Sequence, residues 1–104
     1  MSNVIEIVNF KLASTTTQEQ FDNANAALQA FLNTQPGVLY RSLAKQTNAD
    51  IYVDVVYFNT LEDAKRIQQA FYESDVCQQF AQLIEKDSVI LEHYNVLSQT
   101  PCDA

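Results

Sequence analysis

Apolar positions along the chain switch between two spacings, and the switches divide it into elements. Residues 3–12, NVIEIVNFKL, are dense in Val, Ile and Phe and read as a β-strand. The polar run STTTQEQ follows, where Thr17 with Gln20, or Thr16 with Glu19, supplies the paired side chains of a capping box. Phe21, Ala24, Leu28, Phe31 and Leu32 then recur at helical spacing and make one apolar stripe. This helix is predicted to stop near Gln35, because Pro36 disfavours helix in the residue before it and Gly37 releases the chain. Residues 38–46, VLYRSLAKQ, form a second strand. TNAD is a turn, since Asn and Asp bond their own backbone, and 51–58, IYVDVVYF, is a third strand in a hairpin with the second. Thr60 with Asp63 starts a second helix along Leu61, Ala64, Ile67 and Phe71. YESD interrupts it, and Asp75 with Gln78 is expected to cap a short helix carrying Val76, Phe80, Leu83 and Ile84. Residues 87–97, DSVILEHYNVL, close the domain as a last strand.

The order is strand, helix, strand, strand, helix, strand. It predicts an α+β ferredoxin-like βαββαβ sandwich over residues 1–98, with strands one and three central and a polar tail over 99–104. Side chains alternate across a strand, so 51–58 carries two sets. Ile51, Val53, Val55 and Tyr57 are read as the helix-facing set. Tyr52, Asp54, Val56 and Phe58 are then left on the open face, too apolar to meet water as one patch. Strand one is apolar on both sides, with Ile5 and Ile7 against Val4, Val8 and Phe10. The simplest cover is a second copy, sheet against sheet. Asp54 and Glu6 would then lie between the two sheets, with Arg41 on the neighbouring strand as the nearby cation that offsets a buried carboxylate. Apolar walls with a few convergent polar groups describe a small-molecule site.

Composition narrows the function classes. The chain has 104 residues, 47% hydrophobic and 18% charged, which suits one small globular domain that gains by burying further surface in an oligomer. Its net charge of -7, with the basic residues scattered, excludes the clustered cations that nucleic acid or an anionic membrane surface requires. The first 14 residues lack a basic leader followed by an apolar run, and no stretch approaches a membrane span, so a cytoplasmic location is expected. Cys77 and Cys102 lie far apart outside any CxxC spacing. Cys77 reads as a small apolar core residue and Cys102 as a free thiol in the tail. There is no metal-ligand cluster and no Gly-rich phosphate loop, so neither a metal nor an organic cofactor is expected.

Four stretches, VIEIVNFKL, FLNTQPGVLYRSL, YVDVVYFNTLEDAKRIQQAF and SVILEHYNVL, give the chain a resemblance over residues 4–97. It resembles the small dimeric α/β-barrel proteins related to antibiotic-biosynthesis monooxygenases. The resemblance implies a homodimer through the open sheet faces, closed into a barrel. It also implies a spread of activities: cofactor-independent oxygenases of aromatic polyketides, haem-degrading monooxygenases and lactone isomerases. Haem-degrading members resemble this chain around AFYESDVCQQFAQ, and Asn9 matches the asparagine they carry on strand one. Their Trp falls on Phe71 and their His ligand near Ala81, so the resemblance does not extend to haem.

Candidate chemistry centres on Asp54, His93 and Arg41. Asp54 or His93 is the candidate base, and Arg41 or a tyrosine hydroxyl would hold the resulting oxyanion. Each has a plainer reading. Asp54 and Arg41 also make a structural ion pair, and His93 also makes a hydrogen-bonded strand residue. Alternation sets His93, with Val89, Leu91 and Leu97, opposite Glu92, with Ile90, Tyr94 and Val96. Pattern does not choose which set faces inward. Tyr52, Val56, Phe58, Glu6, Asn9 and Tyr40 complete the candidate ligand-binding set. Phe21, Phe31, Phe71 and Phe80, at helical spacing, read as plain core. The expected function is cofactor-independent oxygenation, or isomerisation, of a small flat aromatic molecule. The alternatives are a non-catalytic ligand-binding or stress-response dimer, and a dimer whose interior is filled.

Overall fold

The structure, a computed structural model, describes residues 3–100. Pro101 and Cys102, with the end of the polar tail, lie outside the described residues. The elements are β1 (Val4–Phe10), α1 (Gln18–Asn33), β2 (Val38–Lys45), β3 (Tyr52–Phe58), α2 (Leu61–Glu73), α3 (Asp75–Gln82), a short 3-10 turn (Lys86–Ser88) and β4 (Ile90–Asn95). The sheet order is β2-β3-β1-β4, every neighbouring pair antiparallel, with β1 and β3 central as the ferredoxin-like reading requires.

Local chemistry accounts for the boundaries. The Thr17–Gln20 capping box forms in both directions: the Gln20 N–H donates to the Thr17 hydroxyl and the Thr17 N–H donates to the Gln20 side-chain oxygen. The neighbouring Thr16 hydroxyl instead donates to the Leu83 carbonyl at 2.9 Å, tying the start of α1 to the end of α3. Thr60 caps α2 by accepting from the Asp63 backbone N–H. The cap of α3 is Ser74, which accepts from the Cys77 N–H, and not the expected Asp75–Gln78 pair. Gly37 has φ +96°, and a Cβ there would collide with the Asp63 side chain, so this turn has room for glycine alone. Arg66 fastens the same turn to α2, donating to both the Pro36 carbonyl and Asp63. The last strand starts at Ile90 instead of 87, because Ser88 turns back to hold Lys11: its hydroxyl accepts the Lys11 N–H at 2.8 Å.

The two faces of the sheet are the reverse of the expectation. Tyr52, Asp54, Val56 and Phe58 are buried beneath the helices, and Val53, Val55 and Tyr57 look out on the open face. Val4, Glu6, Val8 and Phe10 align with the buried set through the β1–β3 register, and Arg41 and Leu43 do so through β2–β3. The cause is volume. Phe10, Tyr52, Phe21 and Phe80 form one aromatic cluster with ring centroids 5.0–6.2 Å apart. Val53 and Val55 could not fill that space from the other face. Asp54 is carried inward with its large neighbours and is tolerated there because Arg41 shares its face. Glu6 and Asp54 therefore lie beneath the helices and not on the face where two sheets would meet.

Candidate functional site

Between the sheet and the helices lies a cavity of 440 Å³. That is within the usual range for small-ligand pockets, about 300–1,000 Å³. Its walls are mostly apolar: Val8, Val56 and Phe58 from the sheet, Leu28 from α1, Ile67 and Phe71 from α2. Its charged lining residues are Glu6, Asp54 and Lys86, with Gln68 and Tyr72 also contributing. Tyr72, Lys86, Val89 and Leu91 are the exposed lining residues and mark the mouth, on the β4 side.

Two polar pairs stand behind this lining. Asp54 accepts from Arg41 Nε at 2.9 Å and from Nη2 at 2.7 Å, a bidentate pair. The Arg41 Nη1 donates to Gln29 on α1 at 3.3 Å, and the guanidinium carbon lies 6.0 Å from the Phe80 ring centroid. The Arg41 side chain is 1% exposed and does not line the cavity, so its fork is committed to holding Asp54. The second pair joins β1 to β4, with Glu6 Oε1 2.9 Å from His93 Nε2. Burial pushes the Glu6 carboxyl above its ordinary value. The His93 contact works in the opposite direction, and the Asp54 charge adds a smaller upward push.

The structure brings together part of the expected set. Glu6, Asp54, Val56 and Phe58 line the cavity. Arg41 and His93 stand directly behind the two carboxylates. The side of β4 that faces the helices is the His93 side: His93 pairs with Glu6 and Leu91 with Val8, whereas Glu92 and Tyr94 bond each other on the open face. Tyr52 is buried in the aromatic cluster and borders a different groove, near Lys45 and Asp50. Asn9 and Tyr40 belong to the open face, Asn9 aligned with Val53 and Tyr40 packed edge-on against Tyr57 at 5.9 Å. Sequence reasoning missed the helix-borne half of the wall, because Leu28, Ile67, Phe71 and Phe80 carry the same spacing whether they fill a core or border a void. Lys86 was missed as well; only its place on the turn before β4 brings it to the mouth.

Cys77 is fully buried, and burial raises its thiol, so it is an inert core residue. No group of three or more potential ligands is arranged to hold a metal ion among the described residues. No helix among them is long and apolar enough to cross a membrane.

No protein-family model matches the chain, and no curated protein matches it. Solved structures do. A hydroxynitrile lyase from Passiflora edulis superposes with a TM-score of 0.71 at 19% identity, over 95% of this chain and 97% of that one. A cofactor-independent oxygenase from Streptomyces nogalater gives 0.66 at 16% identity over the whole of both chains. A dimeric ferredoxin-like protein of unknown function from Thermobifida fusca gives 0.74 at 11% identity, over 91% of this chain and 92% of that one. At these identities the likeness is one of fold. The chain has the fold of the dimeric ferredoxin-like and antibiotic-biosynthesis-monooxygenase-like proteins.

Proposed function

We propose that the protein is a homodimer joined through its open sheet faces. We further propose that the cavity in each subunit binds a small, flat, apolar molecule and oxygenates it without a cofactor. The open face supports the first part. Ile5, Ile7, Val53, Val55, Tyr57, Tyr40 and Tyr94 form a contiguous, partly exposed apolar surface of the kind that marks an interaction face. A protein of the same fold is described as dimeric.

The second part rests on one observation: Glu6, a carboxyl raised by burial, lines an apolar cavity with His93 bonded behind it. A base of this kind is suited to take a proton from a phenol, and the electron-rich anion left behind can reduce dioxygen directly: the substrate supplies the electrons and is oxidised to a quinone, one oxygen atom becoming the new carbonyl and the other leaving as water. Asp54, already paired, accepts a hydrogen bond from a substrate hydroxyl and orients it. Arg41 is too enclosed to hold an oxyanion, which shifts the catalytic role from the Asp54–Arg41 pair to Glu6 and His93. The same enclosure favours a second reading, ligand binding without turnover, because the Arg41 guanidinium is committed to Asp54 and does not line the cavity where a product anion would form. A lyase and an oxygenase share the fold, so the fold itself does not choose a reaction.

Oxygen uptake with a panel of hydroxylated fused-ring aromatics tests the proposal. The expected result is turnover by the native protein and a fall of roughly 10²-fold or more in kcat in Glu6→Gln, the usual weight of a general base. Binding without oxygen uptake would leave the second reading; uptake unchanged in Glu6→Gln would remove Glu6 from the mechanism.

A further inference from the structure

Among the described residues, one charged side chain of the cavity lining is held in no ion pair. Arg41, Lys45 and Arg66 are engaged by Asp54, Asp50 and Asp63 respectively. Lys86 forms no ion pair among the described residues. It sits on the 3-10 turn at the cavity mouth, beside the lining residues Ile84 and Val89. Its sequence neighbours Glu85 and Asp87 do not neutralise it from the same side. They border a separate groove with Asn9 and Ile90, on the other side of the turn. The two carboxyls of the cavity wall are both engaged: Asp54 by the Arg41 fork, Glu6 by His93, with burial disfavouring the Glu6 charge besides. The uncommitted charge on the wall is therefore positive and lies at the mouth. The lysine stem can follow the apolar rim while its ammonium meets the water edge, where neighbouring low-dielectric walls strengthen attraction to an anion.

We propose that Lys86 makes the cavity selective for small organic anions, molecules that join a flat apolar body to a carboxylate or sulfonate. The body enters among Val8, Val56 and Phe58, and the anionic group stays at the mouth on Lys86. This orientation turns the uncharged end of the molecule toward Glu6 and keeps its charge away from the two inner carboxyls. The inference rests on the cavity being a ligand site, as proposed above, and adds the class of ligand and its direction of entry.

A matched pair of fluorescent probes tests it: 1-anilinonaphthalene-8-sulfonate, and N-phenyl-1-naphthylamine, the same skeleton without the sulfonate. Both are titrated into the native protein, Lys86→Gln, Lys86→Glu and Ala81→Trp. Lys86 is exposed, so its variants keep the fold. Removing the charge is expected to weaken the sulfonate probe about three- to tenfold, and reversing it to weaken that probe further, while the neutral probe stays within about twofold. Equal weakening of both probes, or of neither, overturns the role of Lys86. Ala81→Trp fills the cavity from α3 and should abolish binding of both probes. Binding that survives Ala81→Trp, or failure of both probes to bind the native protein, overturns the cavity reading itself and the Lys86 proposal with it.

Discussion

Removing the Asp54 carboxylate strips the buried Arg41 of its main partner, and the cost follows from the geometry. The Arg41 side chain is 1% exposed, and two of its three hydrogen bonds go to Asp54, at 2.7 and 2.9 Å. In Asp54→Ala only the 3.3 Å contact to Gln29 remains, and the guanidinium is too enclosed to recruit bulk water. An uncompensated buried charge of this kind costs about 3–5 kcal/mol. A domain of this size has a total stability of roughly 5–15 kcal/mol, so the variant should lose about a fifth of it or more. Replacing both partners removes the stranded charge. Arg41→Met with Asp54→Leu should return to within about 1 kcal/mol of the native protein, or exceed it. The assay is urea unfolding followed by circular dichroism at fixed protein concentration, with Asp54→Ala measured beside the four corners of the cycle: native, Arg41→Met, Asp54→Leu and the double variant. Taking an m value of about 1.5 kcal/mol per molar, the Asp54→Ala midpoint should fall by roughly 2–3 M. A fall equivalent to less than about 1 kcal/mol, or single costs that simply add in the double variant, would refute the claim that this pair is what permits Asp54 to be buried.

Two further outcomes follow from the same structure. Burial raises the Glu6 carboxyl, so on raising the pH from about 4 the unfolded chain loses that proton before the folded one does. Native stability relative to Glu6→Gln should therefore decline until the folded-state value is passed and then level off; unfolding midpoints at pH 4 to 7 that keep a constant gap, or a gap widening in favour of the native protein, contradict this. Val55→Lys places a charge at the centre of the open face, opposite Ile7 and Ser42, and should convert the proposed dimer to a folded monomer in sedimentation velocity; native protein that sediments as a monomer, or a dimer unaffected by the substitution, removes this face from the assembly.

Much of the architecture was legible in the sequence because it depends on short-range rules. Helical spacing, the Thr17 and Thr60 caps and the Pro36-Gly37 stop each act within a few residues, and together they predicted the element order and the central position of β1 and β3. The same rules failed where two answers were locally equivalent. On β3 both alternating sets are apolar, and a period of two states only that the sets are opposed, not which lies inward.

That choice belonged to the tertiary structure. It fell to the set whose rings, Tyr52 and Phe58, pack with Phe10, Phe21 and Phe80, because a close-packed core rewards volume. With it went Asp54 and Glu6, from the face where two copies would meet to a cavity within one subunit, and Asn9 and Tyr40 in the opposite direction. The sequence by itself determined that a carboxylate and an arginine sit on neighbouring strands; the register that puts Asp54 and Arg41 on one face came with the folded sheet. The Glu6–His93 pair spans 87 residues, and Lys86 reaches the cavity mouth through a turn with no periodicity. Such contacts are set by how distant segments pack, and no local pattern of residues encodes them.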